Sequence, residues 1–189
     1  MNYLEGLSRV FFALETTGAR NKNVPFERAV SEIRDLIICR GKKGGQVIFI
    51  GNGGSAALAS HNAVDLWKNG GVRSVAFNDA SLLTCLSNDF GYEYVFAKPI
   101  QMFAEAGDIV IAISSSGESR NILRAVDAAA KKRCAVITMS GFSPKNPLRA
   151  KGIFNFYAPD NSYGYVEVTH SAISHCIIDS VIAARKTGP

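Results

Sequence analysis

Apolar residues recur along the 189-residue chain in two different periods, and the switches between them divide it into elements. Leu4, Leu7, Val10, Phe11 and Leu14 fall three and four apart, as do Phe26, Ala29 or Val30, Ile33, and Leu36 or Ile37. Two amphipathic helices are therefore expected first, separated by the break Gly18–Pro25. Val47–Ile50 is a short continuous apolar run, the pattern of a strand covered on both faces. It is followed by Gly51-Asn-Gly-Gly-Ser55 and a helix that Ser55 is placed to cap. The same grammar returns at Asp108–Ile113, with the polar turn Ser114-Ser-Ser-Gly-Glu-Ser119 and a helix from Arg120 carrying Ile122, Leu123 and Ala125 on its inner side. Further strands are expected at Val72–Phe77, Cys134–Thr138 and Ile153–Tyr157. Between them fall a short helix capped within Asn78–Ser81 and running through Cys85, a polar and aromatic connection Ser87–Tyr94, and a helix Val95–Glu105. After the turn-rich loop Ser140–Pro147, a helix from about Tyr165 to Arg185 closes the chain, with Thr169, Ala172, Ile173, Cys176, Ile177 and Val181 as its inner face.

Strands alternating with helices predict an α/β domain, a parallel sheet with helices on both faces. Ligands of such sheets sit at the carboxyl ends of the strands, where the glycine and serine loops lie. The length suits one domain with an added helical layer. The N-terminal helical pair, residues 1–40, has apolar surface to spare; packing on another subunit and covering the sheet edge of its own chain are equal uses for it. No membrane span or signal-peptide pattern is visible, so no membrane role and a cytoplasmic location are expected. The net charge of +5 is spread out, with small clusters at Lys42-Lys43 and Lys131-Lys132-Arg133. That balance suits anionic metabolites and lacks the dense basic stripe of a nucleic-acid binder. Cys39, Cys85, Cys134 and Cys176 lie far apart and are expected to be buried free thiols, with no metal knuckle.

Candidate chemistry gathers at the two loops. Gly51, Gly53 and Gly54 remove side chains that would keep an anion from the backbone, and the start of the following helix favours phosphate. Ser114, Ser115, Ser116 and Ser119 offer hydroxyls to oxygens that backbone amides leave unpaired. Either loop alone is as readily a capped polar turn; two in one small domain favour ligand binding. His61 and Asp65, four apart, project from one face of the helix after the glycine loop. Glu167 and His175, eight apart, share a side of the last helix, whereas His170 does not share the face of His175 and is expected to be structural or to support the residues that touch the ligand. Two histidines and two carboxylates suit zinc. The plain alternative is a surface His61–Asp65 pair with His175 as a satisfied interior histidine.

In combination, Gly51-Asn-Gly-Gly-Ser55, His61 with an acid at 65, Asn88-Asp-Phe-Gly91, Ile113–Ser119 and a histidine pair on the last helix resemble the sugar isomerase (SIS) domain proteins. Among them the chain is similar to the phosphoheptose isomerases over nearly its whole length. The resemblance implies a flavodoxin-like three-layer αβα sandwich with a five-stranded parallel sheet, residues 1–189 forming one SIS domain whose helical pair 1–40 serves oligomerisation. It implies a homotetramer with active sites between subunits, and one zinc ion per subunit in at least some members. The implied reaction interconverts sedoheptulose 7-phosphate and glycero-manno-heptose 7-phosphate through an enediolate, for heptose and surface polysaccharide biosynthesis. By that resemblance Ser55, Ser114, Ser116 and Ser119 hold the phosphate and Ser115 its neighbouring oxygen. Asn52 and Asp89 bond sugar hydroxyls, with Gly53, Gly54 and Glu167 also against the substrate. His61, Asp65, Glu167 and His175 are the metal set, Asp65 the base and His175 its partner acid or base.

Two positions depart from the family pattern. Asp65 stands for a glutamate and Glu167 for a glutamine, and Tyr165-Val-Glu167-Val replaces an Arg-Ile-Gln-Glu-like lead. Other readings are an isomerase for a different ketose phosphate and a non-catalytic sugar-phosphate-binding regulator of the same fold, like the replication-initiator-associating protein. A dinucleotide domain using Gly51-x-Gly53-x-x-Ala56 and Asp79 leaves the serine loop without a role, and a nucleotidase phosphate loop fails for want of Gly-Lys-Ser/Thr.

Overall fold

The computed structural model describes residues 2–186. Its strands are β1 (Glu15–Gly18), β2 (Val47–Gly51), β3 (Ser74–Ala76), β4 (Ile109–Ser114), β5 (Ala135–Ser140) and β6 (Phe154–Tyr157). Its helices are α1 (Tyr3–Phe12), α2 (Phe26–Lys42), α3 (Gly54–Lys68), α4 (Ala80–Phe90), α5 (Ala97–Phe103), α6 (Arg120–Lys131) and α7 (Tyr163–Lys186). The strands form one sheet in the order β1-β6-β5-β4-β2-β3, in which β2 to β6 are parallel and β1 is antiparallel to β6. Counting from β2, the parallel strands follow the flavodoxin-like order 2-1-3-4-5. The order reverses at β2, so a crevice opens at the carboxyl ends of β2 and β4, where Gly51 pairs with Ile113.

Each face of the sheet carries its own core. On one, Ile33 and Ile37 of α2, Ala59 and Leu66 of α3, and Ile173 and Ile177 of α7 cover Phe49, Ile111, Ile137 and Met139. On the other, Ile100 of α5 and Ile122, Ala125 and Ala129 of α6 cover Ile48, Ile50, Val110 and Ala112. β2 and β4 are buried along their whole length, which is why both read as unbroken apolar runs. Each large aliphatic side chain removed from water here contributes about 1.5–3 kcal/mol.

The five expected parallel strands are present; one strand is added to them, and four other expectations are corrected. The sheet has a sixth strand, because α1 stops at Phe12 and the chain extends through Glu15–Gly18, where Thr16 and Thr17 pair with Phe156 and Asn155. That strand has no apolar alternation; Asn155 Nδ2 instead donates to Thr17 Oγ1 (3.4 Å) and Thr138 Oγ1 donates to Asn155 Oδ1 (2.7 Å). The N-terminal helices are not equivalent: α2 is packed on its own sheet, while α1 buries only Gly6 and Val10 and leaves Leu4 and Phe12 exposed. The cysteines are not buried: Cys39, Cys85 and Cys176 are exposed and Cys134 is half-buried. The buried face of α7 runs through Val166, Thr169, His170, Ile173, Ser174, Ile177, Ile178 and Val181, which turns Cys176 outward and leaves Ala172 half-buried. Finally, α4 continues past Cys85 to Phe90, so Asn88 and Asp89 lie on its last turn. Among the described residues no helix is long and apolar enough to cross a membrane.

Candidate functional site

The glycine loop turns β2 back into α3, and its three glycines serve three different purposes. A Cβ on Gly51 would lie 2.5 Å from the Ser55 carbonyl oxygen, so glycine lets α3 begin directly against the strand end. Gly53, at φ +52°, caps the helix in a conformation that L side chains avoid, and a side chain there would meet nothing within 4 Å. A Cβ on Gly54 would lie 2.7 Å from both carboxylate oxygens of Glu167. Only Gly53 therefore leaves open backbone in front of it. Ser55 does not cap α3; it is buried in the first turn, and its hydroxyl has no hydrogen-bond partner among the described residues.

The serine loop between β4 and α6 is held from inside and outside. Ser114 Oγ accepts from the Gly117 amide (3.2 Å) and lies 3.4 Å from Ser119 Oγ. Ser116 Oγ accepts from the Glu118 amide (3.2 Å), and Ser115 Oγ is buried without a partner among the described residues. Ser119 precedes α6 without bonding its first-turn amides through the side chain. From the β5 side, the Gly141 amide donates to the Ser115 carbonyl (2.9 Å) and the Leu148 amide to that of Gly117 (3.2 Å). Gly117 has φ +66°, and a Cβ there would overlap the side-chain oxygen of Asn146.

Asn121 joins the two loops, a role the sequence reading does not assign. Asn52 Nδ2 donates to Asn121 Oδ1 (2.9 Å), Asn121 Nδ2 donates to Asn52 Oδ1 (2.8 Å), and Tyr92 OH reaches the same Asn52 oxygen (3.0 Å). The signal was a polar residue one turn before Ala125 on the buried face of α6. Asn52, Tyr92, Ser119, Arg120 and Asn121 help to line a cavity of about 490 Å³ beside the loops.

His61 and Asp65 on α3 and His175 on α7 converge across the helix interface. His61 Nε2 lies 3.1 Å from Asp65 Oδ2, and the His61 and His175 rings are 5.5 Å apart. One donor atom from each of the three lies within 4.8 Å of the others. Donors of a tetrahedral zinc site sit about 3.4 Å apart, given metal–ligand bonds of roughly 2.0–2.1 Å. Two imidazoles and a carboxylate at this spacing fit such an ion after a small closure.

Two residues stand apart from this cluster. Glu167 does not join it; its carboxylate lies over Gly54 and has no hydrogen bond or ion pair among the described residues. Asp89 is exposed on α4 and, among the described residues, bonds only its own helix, accepting from Asn88 Nδ2 (2.9 Å) and lying 3.7 Å from Cys85 Sγ, so a single chain does not bring it to the loops.

His170 is structural in its contacts, as expected. It is fully buried, with Nε2 3.1 Å from the Ser140 carbonyl and Nδ1 unpartnered among the described residues. Burial pushes its pKa down to about 4, against the opposing pull of the Ser140 carbonyl, so the ring is neutral near pH 7. Gly54, Ser55, His61, Glu167 and His170 line a cavity of about 320 Å³ between α3 and α7. Asp79, which a dinucleotide fingerprint would need for a ribose, instead accepts from the Leu82 amide (3.0 Å) as the cap of α4.

A family model described as the SIS domain matches residues 21–141. The phosphoheptose isomerase of Helicobacter hepaticus is 36% identical, the match covering 81% of each chain. That of Proteus mirabilis is 34% identical over 81% of this chain and 82% of its own. Among solved structures, a phosphoheptose isomerase from Neisseria gonorrhoeae is 29% identical with a TM-score of 0.73, covering 80% of this chain and 84% of that one. One from Francisella tularensis has a TM-score of 0.80 at 23% identity, covering 95% and 94%, and agrees in fold.

Proposed function

The chain belongs to the SIS domain family, and from that premise we propose that it is an aldose–ketose isomerase interconverting sedoheptulose 7-phosphate and the corresponding aldoheptose 7-phosphate. The observation that carries the reading is the convergence of His61, Asp65 and His175 beside two phosphate-type loops at the switch point of the sheet. The reaction needs a base at the carbon next to the carbonyl, an acid for the oxygens, and stabilisation of the charge that develops between them.

The free serine hydroxyls and the start of α3 bind the phosphoryl group, and that remote contact holds the open-chain sugar in place for proton transfer. Asp65 takes the proton from one carbon and returns it to its neighbour. Its Oδ2 faces His61, whereas Oδ1 accepts, among the described residues, only a 3.3 Å bond from exposed Asn69 and is the oxygen available as base. His175 moves a proton between the two sugar oxygens. His61, Asp65 and His175 would hold zinc, which when bound supplies Lewis-acid stabilisation of the oxyanion.

Assembly as a homotetramer accounts for the exposed apolar residues of α1 and would let Asp89 reach the sugar hydroxyls in a neighbouring subunit's site. The helical pair then divides its work, α2 closing its own sheet and α1 meeting other subunits. A cytoplasmic enzyme supplying heptose to surface polysaccharide fits the substrate.

The test is NMR of purified protein with sedoheptulose 7-phosphate, with added zinc and after chelation. Aldoheptose 7-phosphate signals should appear and be lost in Asp65→Asn and His175→Ala. If nothing turns over while the sugar phosphate still raises the melting temperature, the phosphate site stands and the catalytic assignment fails.

A further inference from the structure

We propose that Glu167 is a specificity-determining residue: its carboxylate occupies the phosphate end of the cavity between α3 and α7, so a phosphoryl group binds there only by displacing it. The inference rests on the phosphosugar reading above and adds to it a residue that sets how strongly the phosphate is held.

Three observations carry it. Both Glu167 oxygens lie against Gly54, 2.7 Å from where a Cβ would be, at the first residue of α3. The Ala56 amide donates to the Asn52 and Gly53 carbonyls, but those of Gly54 and Ser55 have no acceptor among the described residues and the dipole there favours negative charge, so the carboxylate stands beside the spot to which an anionic ligand would be attracted. Secondly, this half-buried carboxylate has no hydrogen bond or ion pair among the described residues, and it lies outside the His61–Asp65–His175 cluster. Among the described residues no cation pairs with it. Thirdly, Ser55, 5% exposed, lines the same cavity, and its hydroxyl has no hydrogen-bond partner among the described residues and is free to meet a ligand.

A dianion entering this cradle meets a like charge, which opposes it, whereas an amide of the same shape would add a donor. The chain therefore holds phosphate more weakly than its loops alone would, and it depends more on the hydroxyl-bearing part of the sugar, whose O–H groups can donate to the carboxylate.

The experiment is a titration of inorganic phosphate into the purified full-length protein and its E167Q and E167A variants at constant ionic strength, followed by calorimetry, with zinc content measured on the same samples. E167Q should bind phosphate about tenfold more tightly, the effect of one pH unit of like-charge interaction, and E167A should also bind more tightly than wild type. Zinc content should be unchanged. Equal or weaker phosphate binding in both variants overturns the inference, as does loss of zinc without a gain in phosphate affinity, which would make Glu167 a metal ligand. If neither wild type nor variant binds phosphate, the phosphosugar reading itself falls and this inference with it.

Discussion

His170 should make the fold acid-sensitive over a defined range. The ring is enclosed between α7 and the end of β5, donates from Nε2 to the Ser140 carbonyl, and has among the described residues no partner for a proton on Nδ1. Its pKa is pushed down from 6.5 to about 4 by burial. Above pH 6.5 the imidazole is neutral in both folded and unfolded chains, and stability does not depend on it. Between pH 6.5 and 4 the unfolded chain takes up a proton that the folded chain refuses, so stability falls as pH falls. Below about pH 4 both states are protonated and the loss levels off. At about 1.4 kcal/mol per pH unit the total is about 3 kcal/mol, a large share of the stability of one domain. The assay is urea unfolding of wild type and His170→Gln at fixed protein concentration from pH 7 to pH 4. Glutamine keeps a donor towards Ser140 but cannot take up the proton. Wild type should lose about 3 kcal/mol more than the variant over that range, with similar urea slopes. Parallel curves for the two proteins would refute the assignment.

Two further perturbations follow from the same geometry. Gly117→Ala forces a side chain into a left-handed position at about 1–2 kcal/mol and pushes aside Asn146, whose amide bonds Ser140 Oγ, the Gly141 carbonyl and the Ser143 carbonyl. With each buried bond lost costing about 1–3 kcal/mol, denaturant midpoints should show a loss of at least about 2 kcal/mol and sugar-phosphate affinity should fall; an unchanged midpoint would mean that Asn146 gives way freely. Asp65→Ala removes one of three clustered donors. Zinc affinity measured by chelator competition should fall by at least about a hundredfold, since even supporting partners are worth 10–100-fold; affinity equal to wild type would place the metal elsewhere.

What the sequence made legible was set by burial. β2 and β4 are enclosed on both faces, so their apolar runs and the loops after them were readable without a structure. The His61–Asp65 pair followed from helix spacing alone, because residues four apart meet on one face. β1 was not legible, since Glu15–Gly18 is stabilised by antiparallel pairing and by Asn155 rather than by an apolar face of its own. The partnership of Asn52 with Asn121 joins residues 69 apart, and no local pattern encodes such a contact. Glu167 shows the limit of periodicity in another way. Spacing placed it on the side of α7 that carries His175, but the close approach of Gly54 lets its carboxylate settle over the start of α3 instead.

The central claim is that the His61–Asp65–His175 site moves a proton between adjacent carbons of a ketose phosphate. The most direct measurement is the reaction run in deuterium oxide, with NMR of the product at the carbon beside the new carbonyl. Proton transfer through an enediolate predicts deuterium at that carbon, lost together with turnover in Asp65→Asn. Turnover unaffected by Asp65→Asn would contradict the account.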